Sequence, residues 1–154
     1  MRWNGGTVTF GENEVPASAI AGSASSPVDC DKLQHLRRPG TNFGFVIGGT
    51  PTTREEIVFV AATAGTIRGF HALLNADGSS TSIAFDLKKN GTTVLSSPIT
   101  ITNTTGDRTV ADGTLSVTTF AADDVLSIAM TVSSSTGAQG PYAWAEIEET
   151  AAAS

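Results

Sequence analysis

The sequence predicts an all-β chain, an antiparallel two-sheet sandwich of jelly-roll type carried behind an extended N-terminal arm. Three observations predict it. Charged residues make up only 16% of the 154 residues, well under the roughly 25% of an ordinary soluble domain, and Ser and Thr fill the difference. Short runs of alternating polarity recur at spacings that suit strands, broken by Gly, Asn, Asp and Ser turns. The long 3.6-residue periodicity of an amphipathic helix is missing.

Taken in order, the chain first shows a short alternating piece, Thr7 to Phe10, and then a stretch from Glu12 to Pro27 rich in Ala, Ser, Gly and Pro that fits neither template. Residues 31–38 (DKLQHLRR) can make two helical turns, with Asp29 or Asp31 as N-cap and Pro39-Gly40 as the stop. Residues 41–47 (TNFGFVI) read as a first strand with Phe43, Phe45 and Ile47 on one face, ended by Gly48-Gly49-Thr50-Pro51. Glu55 to Ala62 and Thr66 to Leu74 are apolar enough to be central strands. Ser82 to Lys88 points Ile83, Phe85 and Leu87 inward, and Asn90-Gly91 follows as a type I′ hairpin signal, with Thr92 to Leu95 as the return strand. Ile99 to Thr102, Arg108 to Val110 and Thr114 to Thr119 are further strand candidates. Val125 to Val132 turns Leu126, Ile128, Met130 and Val132 to the apolar face, and Tyr142 to Glu148 is the last strand. The organisation is therefore an arm over 1–54, a sandwich over 55–149 whose first strand can begin at 41–47, and a flexible tail over 150–154.

Charge divides the same way. Residues 1–54 hold five cations and four carboxylates, net +1, whereas residues 55–154 hold four cations and eleven carboxylates, net −7. An overall −6 with a pI near 4.7 argues against a sequence-independent grip on nucleic acid, which needs clustered Lys and Arg. Neither a membrane span nor an apolar signal-peptide core is readable, so synthesis in the cytosol and a soluble product are expected. The lone Cys30 has no partner for an internal disulfide and reads as a small apolar residue.

The arm is not merely polar. Trp3, Val8, Phe10, Val15, Ile20, Val28, Leu33 and Leu36 are spread along it, with Arg37 and Arg38 near its end. An unstructured segment carrying such residues orders by burying them on a partner. The residues expected to make that contact are Trp3, Phe10, Leu33, Leu36, Arg37 and Arg38.

Chemistry is sparse. His35 and His71 are not paired by local spacing, and zinc-type Cys/His spacing, a Gly-x-Ser-x-Gly elbow and a P-loop are all missing from the sequence. Neighbouring carboxylates such as Glu55-Glu56, Asp123-Asp124 and Glu148-Glu149 point to opposite faces of a strand and cannot act as an acid–base pair. The loop Asn75 to Ser80 has oxygen ligands but lacks the later bidentate Glu of a calcium loop, and reads as a hairpin turn. No enzyme activity, cofactor or metal is expected. Tyr142 and Trp144 share one face of the last strand with Glu146 and Glu148, an arrangement suited to an oligomer contact or to a glycan.

Two pieces about thirty residues apart, Asp86-Leu87-Lys88-Lys89-Asn90-Gly91-Thr92 and Phe120-Ala121-Ala122-Asp123-Asp124-Val125-Leu126-Ser127-Ile128, together resemble a β-sandwich domain that recurs in tailed-phage virion proteins. There a Lys-Asn-Gly hairpin precedes a Phe-x-Ala-Gly/Asp-Asp-x-Leu corner; here Asp123 stands where Gly is common. The resemblance covers residues 55–149. It implies a capsid decoration or cement protein, with the major capsid protein as partner, located on the virion surface and often a homotrimer. A head-fibre, tail-fibre or baseplate module that binds host glycan is the other role it implies. Asp124 also has a local account, accepting backbone N–H groups at the turn before Val125.

Overall fold

A computed structural model describes residues 9–10, 13–14, 35–43 and 49–150, with side chains from Leu36 onward. The chain divides into two units, Met1–Leu33 with Ala151–Ser154, and Gln34–Thr150. In the first, the described part is a small antiparallel pairing of β1 (Thr9–Phe10) with β2 (Asn13–Glu14), Thr9 opposite Glu14.

The second unit is an antiparallel sandwich. Its elements are β3 (His35–Arg37), β4 (Gly40–Thr41), β5 (Arg54–Val60), β6 (Gly65–Ala76), β7 (Ser80–Lys89), β8 (Thr92–Thr93), β9 (Ile99–Thr102), β10 (Ala111–Asp112), β11 (Thr119–Phe120), β12 (Val125–Thr136) and β13 (Gln139–Glu149). One sheet runs β10 and β11, β6, β13, then β3 and β4; the other runs β5, β12, β7, then β8 and β9. Apart from the β7 to β8 hairpin, each step from one long strand or broken strand to the next changes sheet. This is a jelly-roll order, with interrupted edge strands.

Alternation decides what lies between the sheets. Ile67, Phe70, Ala72 and Leu74 of β6 face Ile83, Phe85 and Leu87 of β7 and Leu126, Ile128 and Met130 of β12, all buried in one cluster. The last strand contributes Ala143, Ala145 and Ile147 to the same cluster. Its two alanines leave space for large rings elsewhere in the layer, where Phe43 packs on Phe85 at 5.9 Å between centroids. The inward faces expected for β7 and β12 are those observed, except that Val132 sits half-buried beside a register shift between Val132 and Ser134.

The two motifs that carry the phage resemblance meet in space. Asn90 takes φ of 51° and Gly91 φ of 80°, the left-handed pair that a type I′ turn requires. The Asn90 side chain then reaches the other motif: its Nδ2 donates to Asp124 Oδ1 at 2.6 Å and its Oδ1 accepts from Val125 N–H at 2.9 Å. Asp124 Oδ2 accepts from Ala121 N–H at 2.8 Å, the turn-closing role expected for it. Asp123 has φ of 67°, which gives the physical reason a glycine suits that position.

Several expectations are corrected. The helix over 31–38 is replaced, over its described part, by strand: His35–Arg37 pairs with β13, with Arg37 opposite Ile147 and Leu36 opposite Glu148. Eight residues are too short to hold a helix on local propensity, and a free sheet edge offers them backbone partners. The boundary at residue 54 moves accordingly, since 35–43 are built into the sandwich and Phe43 is fully buried in its core. Of 41–47, residues 41–43 are described, and among these only Thr41 is in a strand, β4. Central placement holds for β6, but β5 is an edge strand that, among the described residues, pairs only with β12, with Ile57 and Val60 exposed. Arg108 has φ of 55° and cannot continue a strand, so the pairing begins at Ala111. From 114 to 119 there is a single bridge, Leu95 to Leu115, before β11. Asn75 to Ser80 is a crossover between sheets rather than a hairpin, and Asp77 Oδ2 there accepts from Gly106 N–H at 2.9 Å.

Candidate functional site

The outer faces of the two sheets differ in kind. On the β5–β12–β7 sheet the outward rows join Ile57 and Lys88 to Ser127, and Glu55 and Asp86 to Ala129; apart from the exposed aliphatic Ile57 these are small or singly charged groups, with Lys88 Nζ on Glu55 Oε2 at 2.8 Å. The other sheet turns the two aromatic rings of β13 outward, because β13 places alanines inward and Tyr142, Trp144, Glu146 and Glu148 outward.

Strand register assembles the site. One row crosses the whole sheet as Gly40, Trp144, His71 and Asp112, and the next pairs Tyr142 with Leu73. Trp144 lies between two rings, His71 at 5.0 Å and 26° and Tyr142 at 5.6 Å and 30°, within the offset-stacking range. Arg38 Nε pairs with Glu146 Oε1 at 3.1 Å. Arg38, Leu73, Tyr142, Trp144 and Glu146 enclose an open depression of about 340 Å³.

Two glycines make the packing feasible. A Cβ on Gly40 would stand 2.7 Å from the Ala143 carbonyl, 2.8 Å from Trp144 Cβ and 3.0 Å from the Tyr142 hydroxyl. A Cβ on Gly69 would stand 2.7 Å from His71 Nε2, so its absence lets the imidazole lie down against the sheet. His71 Nδ1 is 2.7 Å from Asp112 Oδ1, and because a carboxylate only accepts, this contact puts the ring proton on Nδ1. Nε2 is buried without a hydrogen-bond partner among the described residues, which a bare ring nitrogen tolerates better than an N–H donor. The imidazole is thereby held as a fixed part of the wall.

Electrostatics on this sheet are nearly closed. Arg37 Nε pairs with Glu149 Oε2 at 2.8 Å, and Arg68 Nε donates to Glu148 Oε2 at 2.7 Å. On the opposite sheet, hydrogen bonds from Lys88 and then Ser127 hold Glu55 below the usual carboxylate range. Asp124 is likewise lowered, first by the Ala121 N–H and then by Asn90. Among the described residues no group of three His, Cys, Asp or Glu side chains could hold a metal ion.

Of the residues expected to grip a partner, Trp3 and Leu33 lie outside the described residues, as do Val8, Val15, Ile20, Val28, Cys30, Phe45 and Ile47. Phe10 is the second residue of β1. Leu36, Arg37 and Arg38 belong to the sandwich edge: Leu36 is exposed, while both arginines are paired within the domain. The structure brings Tyr142 and Trp144 together as expected and adds His71, Leu73, Arg38, Glu146 and Asp112. Alternation along β6 already turned His71 and Leu73 outward; which residues of β13 they meet depends on register, which carries no local signal.

No family model matches the chain, and comparison with curated proteins and with solved structures gave no match either.

Proposed function

We propose that the chain is a non-catalytic structural protein of a virus particle, of the capsid decoration or cement kind, made in the host cytoplasm and displayed on the virion surface. The observation that carries this reading is the Asn90 knot. The two motifs on which the phage resemblance rests form one corner of a jelly roll through Asn90, Asp124 and Val125, as expected if they belong together.

The division into two units supports a split of labour in which the N-terminal segment holds the major capsid protein and the sandwich projects. Arg37 and Arg38 are already neutralised by Glu149 and Glu146, so the grip falls to Trp3, Phe10 and Leu33, with exposed Leu36 at the root of the segment. A protein that binds only the assembled shell stabilises the shell by mass action. The exposed apolar edge at Ile57 and Val60 is where copies would associate, as a homotrimer, since unpaired strand edges seek partners. Nucleic acid is a poor partner for a chain of net charge −6, and no membrane contact is invoked. Purified chain added to shells that lack it should sediment with them and raise their thermal stability; an N-terminal segment that already resists protease in the isolated monomer would contradict the mechanism.

A second reading, a fibre or baseplate module that binds host glycan, is favoured by the stacked row of Tyr142, Trp144 and His71.

A further inference from the structure

We infer that the depression bounded by Tyr142, Trp144, Leu73, Arg38 and Glu146 is a binding site for an uncharged pyranose sugar, an inference that rests on the second reading above and not on the first. A pyranose offers an apolar C–H face and a rim of hydroxyls, so it is recognised where an aromatic wall stands beside hydrogen-bonding groups already held in place. The wall here is the ring stack, with Tyr142 the most open member at 39% exposure. The fixed polar pair is Arg38 and Glu146, 3.1 Å apart and accessible at 65% and 27% of their side-chain surface. A guanidinium and a carboxylate side by side present donors and acceptors at the spacing of adjacent sugar hydroxyls.

Preorganisation favours a small ligand further. Asp112 holds His71, His71 backs Trp144, and the missing Cβ of Gly40 lets the Tyr142 hydroxyl approach the sheet; rigid walls reduce the ordering cost of binding.

Charge selects the class of sugar. Around the depression Arg38 and Arg68 are each engaged by a carboxylate, and Asp112 adds a further negative group that is 76% exposed. An anionic sugar would find no free cation among these groups, whereas a neutral one needs none.

Size and shape argue against a second copy of the chain as the occupant. About 340 Å³ is at the small end of the range for small-molecule pockets, roughly 300–1,000 Å³, with space for about one or two sugar rings. A self-association face of ordinary extent buries about 800 Å² per partner around large exposed apolar anchors. Here the large apolar groups exposed on the strands of this sheet are Tyr142 and, three rows away, Leu36.

The chain has two tryptophans, so Trp3→Phe leaves Trp144 as the only indole reporter in the full-length protein. Its emission should shift saturably with at least one of cellobiose, maltose, chitobiose and N-acetyllactosamine, with a dissociation constant of about 0.1–10 mM. Sialylated N-acetyllactosamine should bind more weakly than any neutral sugar that binds. Glu146→Gln, nearly isosteric and on the surface, should weaken binding by about ten-fold or more with an unchanged circular dichroism spectrum, and Tyr142→Ala should do the same, while Thr100→Lys at an exposed position of the other sheet leaves sugar binding unchanged. Saturable binding that survives both site variants overturns this site while leaving the second reading intact. Absence of any saturable shift with all four sugars overturns both. Trp144 emission that instead follows protein concentration, in step with a higher mass by light scattering, overturns the inference by giving this face to a second copy.

Discussion

Asn90 is the residue whose replacement should reveal most about how the sandwich holds its corner. It occupies φ of 51°, a conformation Asn tolerates and Ala resists by about 1 kcal/mol. Its side chain makes one bond to Asp124 and one to the Val125 N–H, each contributing about 0.5–1.5 kcal/mol at an exposed position. Asn90→Ala should therefore lose about 2–4 kcal/mol, and Asn90→Gly, which relieves the backbone but deletes the bonds, about 1–3 kcal/mol. For a domain of this size the alanine variant should melt roughly 6–15 °C lower. Urea unfolding of both variants, followed by circular dichroism, separates the two contributions. If alanine costs less than about 0.5 kcal/mol, or glycine costs as much as alanine, the reasoning from left-handed backbone plus side-chain bonds is refuted.

Other outcomes follow from the same geometry. Asp124 and Glu55 are both lowered in the folded state, so their stabilising contributions are fully present above the unfolded carboxylate pKa and are lost as pH falls through the folded values; in an acid titration of stability, Asp124→Asn should flatten that loss. Phe85→Ala, at a fully buried ring packed on Phe43, should destabilise by about 3–5 kcal/mol in urea melts. Gly40→Val should split β4 from β13, because its Cβ cannot fit between the Ala143 carbonyl and Trp144, and the change should appear as altered Trp144 emission and a lower melting temperature. A double change of Ile57 and Val60 to Lys, at exposed edge positions, should leave unfolding within about ±0.5 kcal/mol while abolishing, in light scattering, the trimer proposed above.

Much of the sandwich was legible because strand faces are written in a two-residue period. Ile83, Phe85 and Leu87 point inward because every second residue must, and Asn90-Gly91 turns because few other pairs accept two positive φ angles. What was not legible depends on partners distant in the chain. His35–Arg37 has helix-permitting residues, yet β13 supplies an edge that outweighs two weak helical turns. Glu55 to Ala62 is apolar enough for the middle of a sheet, but its pairing, among the described residues, with β12 only reveals an edge. The candidate site shows both sides of this limit. Tyr142 and Trp144 share a face by local alternation, whereas the row Gly40, Trp144, His71 and Asp112 comes from four strands whose register no short window contains. The ion pair of Arg38 with Glu146 likewise has no local signal, since it joins residues far apart in the chain.

The central claim is that the N-terminal segment holds a shell while the sandwich stands off it. Co-sedimentation of the full-length chain with assembled shells lacking it tests that claim most directly. Trp3→Ser combined with Phe10→Ser should abolish co-sedimentation while leaving the sandwich melting transition unchanged, and Tyr142→Ala should bind the shell like the unaltered chain. Shell binding that persists in the Trp3 and Phe10 double variant, or that disappears with Tyr142→Ala in a folded protein, would contradict the account.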